Sequence, residues 1–164
     1  ICGSYRRKKS QSGDIDILLT HADIIKPSDL EDQDYLRQLI TILKKDKFIV
    51  DDLTYNGNTK YMGMCRFQNN PGRRIDIRLV PLESYGSALL YFTGSGDFNK
   101  NMRTYALKND YTINEYGIYK LRKDSKSKKK VKGLKMKTLT EEDIFKVLGL
   151  EYIEPENRLP TYKF

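Results

Sequence analysis

Two aspartates stand one residue apart in Asp14-Ile15-Asp16-Ile17, nine residues after a Gly3-Ser4 pair. On a strand, residues two apart project to one face, so Asp14 and Asp16 form a carboxylate pair while Ile15 and Ile17 turn to the opposite side. Adjacent like charges are costly unless a cation neutralises them. Asp76, in the matching run Ile75-Asp76-Ile77, adds a third carboxylate from a second strand. Three acids converging from neighbouring strands suit hard cations such as Mg²⁺. Two such ions, about 3.5–4 Å apart, clamp the attacking and leaving oxygens of an in-line displacement at phosphorus. Gly3 lets the backbone pass close to a ligand, and Ser4 is expected to open a short helical turn whose free N–H groups receive a phosphate. Arg6 and Arg7 add cationic donors just beyond. Together these parts are the equipment for nucleotidyl transfer.

Chemistry of this kind needs rigid strands under the acids and helices to cover them. Ile15–Thr20 reads as a strand, entered through the polar stretch Lys8–Gly13. Between Asp34 and Lys45, Leu36, Leu39, Ile40 and Leu43 recur at i, i+3, i+4 and i+7, the apolar stripe of a helix packed on a sheet. Phe48–Tyr55 and Lys60–Phe67 flank Asn56-Gly57, which predicts a hairpin with a type I′ turn. Arg74–Val80 alternates apolar and charged residues until Pro81 ends it, another strand with opposite chemistry on its two faces. Later, Glu83–Phe92 and Phe98–Lys108 read as helices broken by Gly94-Ser95-Gly96, the second with Phe98, Met102, Tyr105 and Ala106 on one side. Thr112–Tyr119 suggests a short strand pair, and the Lys-dense Lys120–Lys137 an exposed loop. Thr140-Glu141-Glu142-Asp143 predicts a capping box opening a helix through Ile144, Val147 and Leu148 that Gly149 closes.

Composition narrows the field. The 164 residues give room for one ordinary domain or two small lobes. Thirty Lys and Arg against 22 Asp and Glu leave a net charge of +8, which favours polyanionic partners such as nucleic acid. No apolar run approaches the roughly 20 residues of a membrane span, so no membrane partner is expected. Two cysteines, Cys2 and Cys65, make no disulfide framework and read as small core residues, and His21 alone disfavours zinc sites built on several histidines. Its position just after the first strand suits a surface or capping role. An opening at Ile1 without Met, charged region or apolar region predicts no signal peptide and an internal fragment.

The runs Gly3-Ser4-Tyr5-Arg6-Arg7, Ser12-Gly13-Asp14-Ile15-Asp16, Arg73-Arg74-Ile75-Asp76-Ile77-Arg78, Tyr91-Phe92-Thr93-Gly94-Ser95, Phe98-Asn99-Lys100-Asn101-Met102-Arg103 and Thr112-Ile113-Asn114-Glu115-Tyr116 follow one another along the chain. In that order they resemble the catalytic part of the family X DNA polymerases, of the DNA polymerase beta type. The resemblance implies an α+β fold: a nucleotidyltransferase palm over residues 1–82, with a mixed β-sheet and flanking helices, then a small α+β thumb over 83–164 that closes on the nascent base pair. It implies that Asp14 and Asp16 bridge two Mg²⁺, with Mn²⁺ able to substitute. Asp76 would hold the catalytic ion and help take the proton from the primer 3′-hydroxyl. Ser4, Arg7 and Gly13 would contact the triphosphate of a dNTP, Tyr91, Phe92 and Gly94 its sugar, and Asn99 the edge of its base. Arg74 and Arg78 would position the primer terminus and exchange ion pairs on closing. Lys100 would stack on the templating base and Arg103 contact the template strand, with Glu115 and Tyr116 also on the DNA side.

One departure from the family is Gly96, where an acid is common. The implied activity is addition of a dNTP to a primer 3′-OH in short gaps, as in base-excision repair, on primer-template or gapped DNA. Amino-terminal lobes would lie outside this chain, so the resemblance assigns it no lyase activity. The location would be nuclear in a cell, or cytoplasmic for a viral source. Template-independent terminal transfer, and DNA binding without turnover, stay open as alternatives. Beside the functional reading, Arg74 and Arg78 have a simpler one, pairing with Asp76 on their own strand face.

Overall fold

Alternation is what builds the sheet that carries the acids. In β4 (Arg73–Leu79), Ile75 and Ile77 are fully buried and Leu79 nearly so, while Arg74, Asp76 and Arg78 take the other face. Burying each such aliphatic side chain contributes roughly 1.5–3 kcal/mol. β1 (Asp14–Leu19) runs parallel to β4, and β2 (Ile49–Asn56) and β3 (Lys60–Cys65) follow antiparallel in the order β1-β4-β3-β2. The computed structural model describes residues 1–125, 127 and 129–164, with Tyr55 and Asn56 by their backbone alone.

Two units fold on separate cores, Ile1–Leu82 and Glu83–Phe164. In the first, α1 (Gly3–Arg6) precedes β1, and α2 (Tyr35–Lys45) seats Leu36 and Ile40 among Ile24, Ile49, Tyr61, Cys65, Ile75 and Ile77. Cys2 and Cys65 are both buried and free. His21 stacks on Tyr35 at 4.1 Å and accepts the Asp23 N–H, a local structural role. The hairpin forms where Asn56-Gly57 predicts one, but Asn56 still pairs with Lys60, so the connection is the three residues 57–59 and not a two-residue turn. Gly57, at φ +65°, supplies the backbone reversal that a side chain would resist.

The second unit is also α+β. α3 (Tyr85–Thr93), α4 (Gly96–Lys108) and α5 (Glu141–Val147) accompany a three-stranded antiparallel sheet of β5 (Tyr111–Asn114), β6 (Gly117–Lys123) and β7 (Lys130–Lys135). Phe98, Met102 and Ala106 meet Ile113, Ile118, Ile144 and Phe145 in its core. Thr140 caps α5 reciprocally with Asp143, and Gly149 leaves the helix at φ +69°. The Lys-dense stretch differs from its sequence reading. It is strand at both ends, β6 reaching Lys123 and β7 spanning Lys130–Lys135, because pairing to β6 satisfies its backbone and half-buries Val131, Gly133 and Lys135 while Lys130, Lys132 and Leu134 stay exposed.

Candidate active site

Parallel pairing of β1 with β4 sets Asp16 directly beside Asp76, and Asp14 beside Arg74. Neighbouring residues in register share a face, so the three aspartates converge, offering one oxygen each with all three within 4.8 Å of one another. Arg74 bonds to Asp14 and brings its Nε to 3.5 Å from Asp76 Oδ1. That oxygen is buried and has no hydrogen-bond partner. Burial pushes the Asp16 carboxyl above its ordinary value, the charges of Asp14 and Asp76 push it further, and Arg74 and Arg7 pull against them. At Asp16 burial and the two neighbouring carboxylates together outweigh the pull of the arginines. Carboxylate oxygens of this number and spacing, one of them buried and unbonded, fit divalent cations, which family X polymerases use.

The segment before β1 is built against the same acids. The Cys2 N–H donates to the Asp16 carbonyl at 2.8 Å, which starts α1 beside the strand. Gly3 holds φ +61°, and a Cβ there would lie 2.0 Å from Asp16 Oδ2. Glycine is therefore required twice, for its backbone and for the space the carboxylate fills. The Ser4 hydroxyl donates to Ser12 Oγ at 2.9 Å, tying α1 to the turn that contains Gly13. Ser12 is the partner of Ser4 that spacing alone did not single out, because it lies eight residues away across an irregular loop. Arg78 follows Asp76 on the outward face of β4, in register with Lys60.

The second unit brings three of its expected residues to one cleft of its own and leaves Phe92, Gly94, Lys100, Glu115 and Tyr116 outside its lining. Tyr91, Asn99 and Arg103 line it together with Ser87, Leu90 and Asn114. The Asn99 side-chain amide donates to the Tyr91 carbonyl at 2.8 Å, which fastens α4 to the end of α3. Phe92 stands edge-on to Tyr91 with centroids 5.1 Å apart, and the Gly94–Ser95 peptide between the helices is cis. The Ser95 hydroxyl accepts from the Phe98 N–H and so caps α4. Lys100 is exposed one position beyond Asn99 and does not line the cleft. Glu115 and Tyr116 form the β5–β6 turn, where the Tyr116 carbonyl accepts from Ser84 Oγ.

A sheet that juxtaposes three carboxylates behind a Gly-Ser turn, followed by a unit with a cleft at the α3–α4 corner, is the architecture of a DNA polymerase palm and thumb. Against known families, residues 1–82 match the DNA polymerase beta palm and residues 88–159 the DNA polymerase beta thumb. The chain belongs to the family X DNA polymerases. It is 39% identical to DNA polymerase lambda of Rattus norvegicus over 167 residues, covering 96% of this chain and 28% of that protein. DNA polymerase lambda of Arabidopsis thaliana is 29% identical, with 96% of this chain and 31% of the relative covered. DNA nucleotidylexotransferase of Gallus gallus is 29% identical, with 96% and 35% covered. The chain therefore spans about a third of the length of these relatives.

Proposed function

We propose that the chain is the catalytic part of a template-directed DNA polymerase that adds one dNTP at a time to a primer 3′-hydroxyl in gapped DNA. The observation that carries this reading is the meeting of Asp14, Asp16 and Asp76 on the face shared by β1 and β4. Divalent cations, Mg²⁺ first and Mn²⁺ as its substitute, would be held by these aspartates and would neutralise the charge that develops on the triphosphate. Asp76, the carboxylate with a buried unbonded oxygen, accepts the proton from the primer hydroxyl. Ser4, Arg7 and the backbone at Gly13 hold the triphosphate so that pyrophosphate departs in line. Arg74, now bonded to Asp14, exchanges that partner for the primer backbone, and Arg78 joins it. From the second unit, Tyr91, Phe92 and Gly94 take the sugar and Asn99 the base edge, while Lys100, Arg103, Glu115 and Tyr116 take the DNA. The relatives named above come from animals and a plant, which favours a nuclear location. Among the described residues no helix is long and apolar enough to cross a membrane.

Primer extension on single-gap DNA with Mg²⁺ and the complementary dNTP tests this. The wild type should add one nucleotide. Asp76→Ala should keep its circular dichroism spectrum and lose addition by about a thousandfold, the weight of several kcal/mol in the barrier. Full activity in that variant overturns the assignment, and a wild type that shifts DNA without product supports the non-catalytic reading instead. The nucleotidylexotransferase relative favours a second reading, terminal transfer. It predicts the same product yield when the template strand is omitted.

A further inference from the structure

The charge of the chain is not spread over it. Ten of the 30 Lys and Arg, against one of the 22 acids, lie between Lys120 and Lys137, so the rest of the chain carries 20 against 21. The whole basic surplus thus belongs to the β6–β7 hairpin, which contributes none of the residues placed above at the acids or the cleft. Its pairing makes the concentration directional. Lys123 stands opposite Lys130, and Leu121 opposite Lys132. Opposed residues of an antiparallel pair share a face, so Lys123, Lys130 and Lys132 form one cationic row.

Local partners satisfy only part of that row. Lys130 Nζ reaches Asp110 Oδ1 at 2.6 Å, and Lys132 Nζ sits 3.9 Å from the centre of the Tyr119 ring. On the other face of β7, Lys135 is taken by Glu83 at 2.7 Å. Among the described residues, no carboxylate lies within ion-pair distance of Lys123, Lys129 or Lys132, and all three are exposed. Like charges placed directly opposite destabilise a sheet. Lys123 beside Lys130 is such a pair; Asp110 offsets part of its cost through Lys130, and an external polyanion would offset the rest. Lys130 and Lys132, two residues apart on one strand, are separated by about 6.7 Å, close to the rise of two nucleotides along a DNA strand.

We propose that the exposed Lys123–Lys130–Lys132 face of the β6–β7 hairpin, with Lys129 beside it, binds the phosphate backbone of DNA as a contact separate from the nucleotide cleft. The proposal rests on the polymerase reading for its choice of polyanion. Contacts made to phosphate carry no base information, so this one supplies affinity and salt dependence without sequence preference.

The test is a dNTP-free titration of labelled DNA, as duplex and as single strand, across a KCl series. It compares the wild type with the triple variants Lys123→Gln/Lys129→Gln/Lys132→Gln and Lys123→Arg/Lys129→Arg/Lys132→Arg. Loss of two or three phosphate contacts should shrink the slope of log affinity against log salt by about 2–3 for duplex, and by somewhat less for single strands. Affinity at low salt should fall on the order of tenfold or more in the Gln variant, while the Arg variant keeps both properties. A loss in either arm supports the proposal and names the form of DNA bound. An unchanged slope and affinity in the Gln variant, with an unchanged circular dichroism spectrum, overturns it. Because no nucleotide is present, a wild type that adds none would strike the polymerase reading and leave this result standing.

Discussion

Glu141 and Arg158 in the second unit, and Asp14, Asp16 and Asp76 in the first, are both gatherings of charge, yet they follow opposite rules. Arg158 is wholly buried and every direction it points is answered: Nη1 donates to Glu141 Oε1 at 2.6 Å, Nε to the Ile153 carbonyl at 3.0 Å, and Nη2 to the Tyr152 hydroxyl at 3.3 Å. Tyr152 donates in turn to Glu141 Oε2, and the guanidinium lies within 6 Å of the Phe98, Phe145 and Tyr152 rings. The aspartates are instead three acids on one face that Arg74 and Arg7 offset only in part, with Asp76 Oδ1 buried without a hydrogen bond and Asp16 held above its ordinary carboxyl range. A buried charge that the fold compensates fully is a structural device, and a charge cluster the fold compensates only in part is one shaped for something that arrives later.

The largest effect that separates the two clusters lies in the pair. Glu141→Ala leaves Arg158 buried without its counter-charge and should cost about 3–5 kcal/mol in urea unfolding of the second unit. Asp76→Ala, by contrast, should leave stability close to wild type. Replacing both partners, as Glu141→Leu with Arg158→Met, should recover most of the loss, since it removes the stranded charge as well. A Glu141→Ala protein as stable as the wild type would erase the comparison.

Much of this molecule was legible in its sequence because periodicity and turn chemistry are local signals. The Leu36–Leu43 stripe, the alternation around Asp76, the Phe98–Ala106 face and the Thr140–Asp143 box each stand where their spacing puts them. The convergence of Asp16 with Asp76 was readable only as matching patterns, and the parallel register that makes them neighbours is a property of the sheet. Arg158 gave no signal at all. Its partner is 17 residues distant, and Glu141 read as an ordinary first-turn acid of α5. The β6–β7 hairpin was hidden for another reason: lysines on exposed strand faces carry no apolar alternation, so their pattern is that of a loop.

A smaller effect sharpens the comparison from the compensated side. Asp143 accepts from the backbone N–H groups of Thr140 and Leu139, which hold its carboxyl below the ordinary range. A lowered carboxyl contributes stability that is present above its unfolded value of 3.8 and is lost as pH falls through its folded one. Asp143→Ala should therefore cost about 1 kcal/mol at neutral pH, measured by thermal melting, and progressively less in acid. An equal cost at both ends of that range would show that packing, and not the cap, sets it.

Asp16 gives the smallest effect and the opposite sign. Its carboxyl is raised, by burial first and by Asp14 and Asp76 next, so without divalent cations the folded chain binds its proton more readily than the unfolded chain does. Above 3.8 the folded state then carries the larger share of bound protons, and this residue's contribution to stability falls as pH rises through its folded value. Asp16→Asn mimics the protonated form. In chelator it should melt roughly 2 °C above the wild type at neutral pH, and the gap should close as pH falls well below 3.8, where the aspartate is protonated in both states. Adding Mg²⁺ should raise the wild-type midpoint and close the gap, because bound cations relieve in the wild type what the substitution removes in the variant. A gap that stayed constant with pH would mean that the Asn gains from packing rather than from lost repulsion, and the aspartate cluster would then be no more strained than the Glu141–Arg158 pair.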